Sequence, residues 1–159
     1  MGLDLVLYKS NKPFNEMSME EELESELAYG RKTWAIAEFL YTRSEDVDGG
    51  GYEYKVSEEV WDLFIDRLSK LVDPEFREKV EDYLEYDYEY MNGRKDPDEK
   101  YEAIYLELED WLNDALDYDT GYALGLEWEL SAVLRWFDAD WEVREAYKNG
   151  YEVRLIVSF

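Results

Sequence analysis

The segment from Pro74 to Tyr90 constrains this chain more than any other. Asp73-Pro74 is a helix start: the aspartate side chain can accept a first-turn N–H, and proline at the first helical position has no N–H to leave unpaired. Asn92-Gly93 is a matching stop. Between them, Phe76, Val80, Tyr83 and Leu84 fall within roughly 100° of arc at helical pitch, an ordinary core-facing stripe. Glu75, Glu78, Asp82, Glu85 and Glu89 line the opposite side within about 80° of arc. They would form a ridge about 21 Å long at ~1.5 Å rise per residue. Asp87 fits neither set and predicts a bend or an early end to the helix.

A ridge of like charges costs a few tenths of a kcal/mol per neighbouring pair. It therefore needs a reason. The next predicted helix opens at Asp96-Pro97, runs to about Leu116 and adds Glu99, Asp110, Asp114 and Asp117 on its outer face, with Glu102 and Glu107 at the borders. Residues 75 to 120 hold 17 acids against 5 bases, a net −12 out of the −24 of the whole 159-residue chain. Solubility of a small domain needs a net charge of only roughly 2 to 8 in magnitude. Halophilic adaptation and a basic binding partner both account for the excess. Direct binding to nucleic acid or to an anionic membrane is disfavoured, since both recruit basic surfaces.

Acidic disordered chains are poor in aromatics. This one carries 6 Trp, 15 Tyr and 6 Phe, so it is read as a folded domain. The rest of the pattern is α+β: a mostly helical single domain over 1–159 with a small antiparallel sheet that includes both terminal strands. LDLVLYK (3–9) and YEVRLIVSF (151–159) are the terminal strands, and YEYKV (52–56) is another. Ser18 and Glu21 form a capping box for a helix closing at Gly30. RKTWAIAEFLYTR (31–43) predicts a second helix. Ser57 caps a third, with Trp61, Phe64, Leu68 and Leu71 on one face. Leu126, Leu130, Val133, Leu134 and Phe137 mark a later helix, followed by a short one over about 140–148. Arg31 and Lys32 read as helix-end neutralisation or an internal salt bridge, with a second contact patch as the alternative.

Much chemistry is excluded. There is no histidine, which removes Ser-His-Asp and Cys-His catalysis and histidine-ligated zinc. There is no cysteine, so no disulfide and no thiolate nucleophile, a usage compatible with a reducing cytoplasm. Neither a phosphate-loop spacing nor a dinucleotide fingerprint occurs. Asp46 and Asp48 open like a calcium loop, but Ser57 stands where the bidentate glutamate belongs. A mobile polar loop is the simpler reading. The chain has no apolar run near the roughly 18 residues of a membrane span. No catalytic residue, cofactor or metal site is expected, and the protein is read as a non-enzyme.

Tyr86 and Tyr90 flank the ridge, and Leu106 sits on the charged side of its helix. A ring beside a carboxylate can stack on an arginine guanidinium while the acid takes its hydrogen bonds. The ridge is thus a solvated helix face, a surface imitating nucleic-acid phosphates for a basic groove, or a cation-binding array. The opening MGLDLVLYK and the stretch AYGRKTWAIAEFL (28–40) resemble phage-encoded proteins. Composition and layout are similar to the small acidic anti-defence proteins of phages and mobile elements, DNA-mimic antirestriction proteins and anti-CRISPR inhibitors among them. That resemblance implies a host partner that normally grips DNA or RNA, such as a nuclease, inhibited by occupancy rather than chemistry. A phage structural or assembly protein, with charge serving solubility and a homodimer as one form, is the competing class; a carboxylate hydrolase is a third.

Overall fold

The computed structural model describes residues 3–12, 14–93, 99–118 and 126–158, with Phe14 described by its backbone alone. The α+β expectation holds. A five-stranded antiparallel sheet has the order β2-β1-β5-β4-β3, so the first and last strands of the chain are central neighbours. They are β1 (Asp4–Ser10) and β5 (Glu152–Ser158), flanked by β2 (Glu26–Arg31), β3 (Glu45–Asp46) and β4 (Glu53–Val56). Leu5 opposes Val157 and Leu7 opposes Leu155, and all four are buried on one face. The period of two puts Tyr8 and Arg154 on the other face. There Tyr8 donates a short hydrogen bond to Glu53, whose second oxygen accepts from Arg154 Nη1 at 3.0 Å.

Seven α-helices are present among the described residues: α1 (Met19–Ser25), α2 (Trp34–Tyr41), α3 (Glu58–Leu71), α4 (Pro74–Met91), α5 (Glu99–Ala115), α6 (Leu126–Asp138) and α7 (Asp140–Lys148). α6 packs on β2 and α7 on β5, while α2 packs against α3 and α6. Fully buried Trp61, Phe64 and Trp136 fill the space between them, with ring centroids 5.2 and 6.3 Å from Phe64. The pair α4–α5 forms an outer layer, α4 resting on α6 and α5 on α3. None of the described helices is long and apolar enough to cross a membrane.

The start signals act as expected where they are described. Ser57 accepts from Val60 N at 3.2 Å and Asp73 from Phe76 N at 2.7 Å. Gly93 and Gly150, with φ of 69° and 82°, supply the left-handed step after α4 and α7. The Asp96-Pro97 signal and Pro13 lie outside the described residues.

Three expectations need correction. The capping box forms, with Glu21 N on Ser18 Oγ at 3.2 Å, but the helix stops at Ser25 instead of reaching Gly30. α1 buries no residue, so nothing rewards its continuation. Glu26–Arg31 instead pairs with β1, burying Ala28 and Gly30 against the core. A Cβ on Gly30 would lie 2.9 Å from Thr33 Cγ2, so the close β2–α2 corner requires glycine there.

As a result Arg31 and Lys32 end a strand, not a helix, and have no helix dipole to neutralise. Neither has an ion pair among the described residues. Arg31 lies over the Trp128 ring at 5.5 Å, and Lys32 takes a φ of 55°.

Asp46 and Asp48 do not form a mobile loop. Asp46 accepts from the amides of Asp48, Gly49 and Gly51 at 3.2, 2.9 and 3.0 Å, and Asp48 from Gly50 and Tyr52 at 3.1 and 3.4 Å. Their oxygens hold the β3–β4 hairpin together. The described residues include no group of three or more carboxylates placed to hold a metal ion.

Candidate interaction surface on α4 and α5

α4 is continuous from Pro74 to Met91, so Asp87 neither bends nor ends it. Phe76, Val80 and Tyr83 are buried and Leu84 half-buried. Each fully buried side chain of this kind contributes about 1.5–3 kcal/mol, enough to override the repulsion along the outer side. Glu78, Asp82 and Glu85 are exposed there, joined by Glu81, which completes the same face. None of these four has an ion pair among the described residues. Glu89 continues the line half-buried.

The two ends of the predicted surface are different. Lys79 Nζ lies 2.7 Å from Glu107 and 3.5 Å from Glu75, above the Trp111 ring at 4.6 Å. One lysine thereby neutralises part of the ridge start and staples α4 to α5. The Glu107 carboxylate holds the Lys79 ammonium above the ordinary lysine range. Asp117 is exposed, but its charge is paired. It lies 3.0 Å from Arg67 and 3.3 Å from Arg43, and the Arg67 hydrogen bond holds its carboxyl below the usual range. Its φ of 54° places it at the left-handed position just after α5, and Tyr118 N closes the helix on Asn113 O at 2.9 Å. Asp117 is a structural clip between α5, α3 and the end of α2.

Between these ends, Glu99, Asp110 and Asp114 are exposed on α5, as is Leu106 at 55%. Asp110 and Asp114 border a shallow hollow with Glu109, Trp111 and Tyr118. The acidic surface thus runs along the middle of α4 and the outer side of α5.

The tyrosines occupy the groove between the two helices. Tyr86 is stacked on Tyr101 at 3.9 Å with an interplanar angle of 5°, and on Tyr90 at 6.1 Å and 17°. Tyr86, expected on the flank, is a strut between helices, whereas Tyr90 stays 43% exposed. Tyr83 meets Tyr105 at 5.8 Å. A cavity opens here, lined by these rings with Asp87, Glu99 and Glu102. Burial raises the Asp87 carboxyl, and the negative charge of Glu127 on α6 raises it further. Burial and the carboxylates of Asp87 and Glu127 also raise the Tyr83 phenol.

Sequence reasoning missed Glu81, the tyrosine groove and the charge of Glu127 acting on it. Asp87 was the one available signal: a charge on the apolar side of a helix with no base three or four residues away.

Comparison with family models, curated proteins and solved structures returns no match to this chain.

Proposed function

We propose that this protein is a non-enzymatic inhibitor that docks into the basic groove of a nucleic-acid-handling protein, a nuclease of the CRISPR-effector or restriction type. The observation that carries the reading is the unneutralised face of Glu78, Glu81, Asp82 and Glu85. Three nearby bases are engaged by other carboxylates: Lys79 by Glu107, Arg77 by Asp138 at 2.9 Å, and Arg67 by Asp117. The carboxylates left over span about 10.5 Å of helix axis, a mean step of about 3.5 Å per charge, the same order as the 3.4 Å axial spacing of phosphates on one DNA strand. The lysines and arginines that neutralise phosphates in such a groove can pair with these carboxylates instead. Occupancy alone blocks the groove, and no turnover is involved.

The test is capture from a bacterial lysate at low salt, with wild type and with Glu78→Lys/Asp82→Lys/Glu85→Lys as paired baits. The expected result is a nucleic-acid-binding protein retained by wild type, displaced by duplex DNA or by RNA, and lost from the triple variant. Retention of the same proteins by both baits, with an unchanged circular dichroism spectrum, removes the mimicry reading.

A further inference from the structure

The cavity between α4 and α5 has features that a general acidic surface does not need. Tyr83 is only 7% exposed, lines the cavity, and its hydroxyl has no hydrogen-bond partner among the described residues. Asp87 lines the same cavity, half-buried, under the negative charge of Glu127 and with no base paired to it among the described residues. Asp87 and the Tyr83 ring thus share one cavity, with Glu99 and Glu102 also on its lining and no cation among the described residues that line it. Packed tyrosine rings form the wall, and the Tyr90 ring stands 43% exposed at the edge.

We propose that this cavity is a receptor for one arginine side chain of the basic partner. The inference rests on the reading of this face as a docking surface. A guanidinium is planar, so it can lie against a tyrosine ring while its N–H fork reaches a carboxylate in two-point fashion. It offers five donors, enough for Asp87 and the Tyr83 oxygen together. A lysine ammonium carries the charge without the plane or the fork, and it is more strongly hydrated. The exposed carboxylates of α4 attract either cation, whereas the cavity selects arginine. The negative charge of Glu127, which acts against an ionised Asp87 in the free protein, is offset once a cation is bound at Asp87.

The experiment compares oligo-arginine and oligo-lysine peptides of equal length by calorimetry at about 0.15 M salt. Wild type is expected to prefer the arginine peptide by about tenfold. Asp87→Asn, which removes the charge and keeps the side-chain shape, should reduce that preference below about threefold with oligo-lysine affinity unchanged. Equal affinity of wild type for both peptides overturns the arginine receptor, as does a preference that survives Asp87→Asn. The two readings separate through Glu78→Lys/Asp82→Lys/Glu85→Lys. If wild type binds both peptides equally and the triple variant binds neither, the docking surface stands and the arginine receptor falls. If wild type binds neither peptide, both fall.

Discussion

Glu129 on α6 places its Oε1 2.6 Å from the amide of Ala35, in the first turn of α2. The Ile36 amide, at 3.3 Å, shares the same oxygen. Thr33 stands at the N-cap position but makes no side-chain cap, so a carboxylate from a distant helix does that work. Its other oxygen, Oε2, is buried without a partner. Burial pushes the Glu129 carboxyl up to about 8, against the two amide hydrogen bonds that favour the charged form. In the unfolded chain it titrates near its ordinary 4.5, so between 4.5 and about 8 the folded protein binds the extra proton. Its stability contribution is therefore complete below the ordinary value and is lost as pH rises toward 8, by up to about 1.4 kcal/mol per pH unit. Glu129→Gln keeps the accepting oxygen and cannot ionise. Urea denaturation should show the variant gaining on wild type from pH 5 to pH 8, with the difference levelling above that. Glu129→Ala loses the cap and leaves a void, at a cost of at least about 2 kcal/mol. Parallel pH profiles for wild type and Glu129→Gln would refute the assignment.

Asp117 occupies a left-handed position where glycine is the usual residue, and its carboxylate serves Arg43 and Arg67. Glycine removes the ion pairs and relieves the backbone; alanine removes the ion pairs and keeps the strain. Thermal melts should rank wild type first, Asp117→Gly second and Asp117→Ala last. The two variants should differ by about 2–4 °C, the scale of one left-handed alanine in a chain of this size. Asp117→Ala melting above Asp117→Gly would place the strain elsewhere.

The edge of the sheet at β2 is guarded by Trp136, fully buried, whose Nε1 donates to the Tyr29 carbonyl at 3.1 Å. Trp136→Phe retains a ring but releases that carbonyl, and should lower stability by about 1–3 kcal/mol in denaturant titrations. An edge strand with a freed acceptor is also a template for a second chain. Sedimentation at increasing concentration should therefore show association of Trp136→Phe above that of wild type; a variant that remains as monodisperse as wild type argues against an edge-guarding role.

Helices α3 and α4 were legible because their apolar spacing and their cap residues agree with the packing, and α5 and the terminal strands because their apolar spacing does. β2 was not. ELAYGR carries no clear period of two, and the capping box before it is strong, so local preference pointed to helix while pairing with β1 decided for strand. Glu129 was equally hidden. Nothing in LEWELSAVL distinguishes a glutamate that solvates a helix from one that crosses to cap another, since the partner lies more than ninety residues away in sequence. The acidic ridge was visible as a spacing, but its neutralised ends were not. Lys79 sits inside α4 with acids on all sides in sequence, and only the packing of α5 shows that Glu107 holds it.

The remaining charges on that ridge give the last prediction. Glu78, Asp82 and Glu85 repel along one helix face of a molecule whose net charge is −24. Added salt screens this, with a Debye length falling from about 30 Å at 0.01 M to about 8 Å at 0.15 M. The melting temperature of wild type should rise over that range. In Glu78→Lys/Asp82→Lys/Glu85→Lys each reversal changes the charge by two, so six units of negative charge are removed from the −24. The three introduced bases still repel at 78–82 and 82–85, but the pairs with Glu75, Glu81 and Glu89 turn from repulsion to attraction, worth a few tenths of a kcal/mol per pair. The variant should melt about 2–4 °C above wild type in low salt, with the gap closing as salt is added. A lower melting temperature for the variant at low salt would mean that the three carboxylates stabilise the free protein. They would then need no partner to account for them, and the docking surface would lose its energetic rationale.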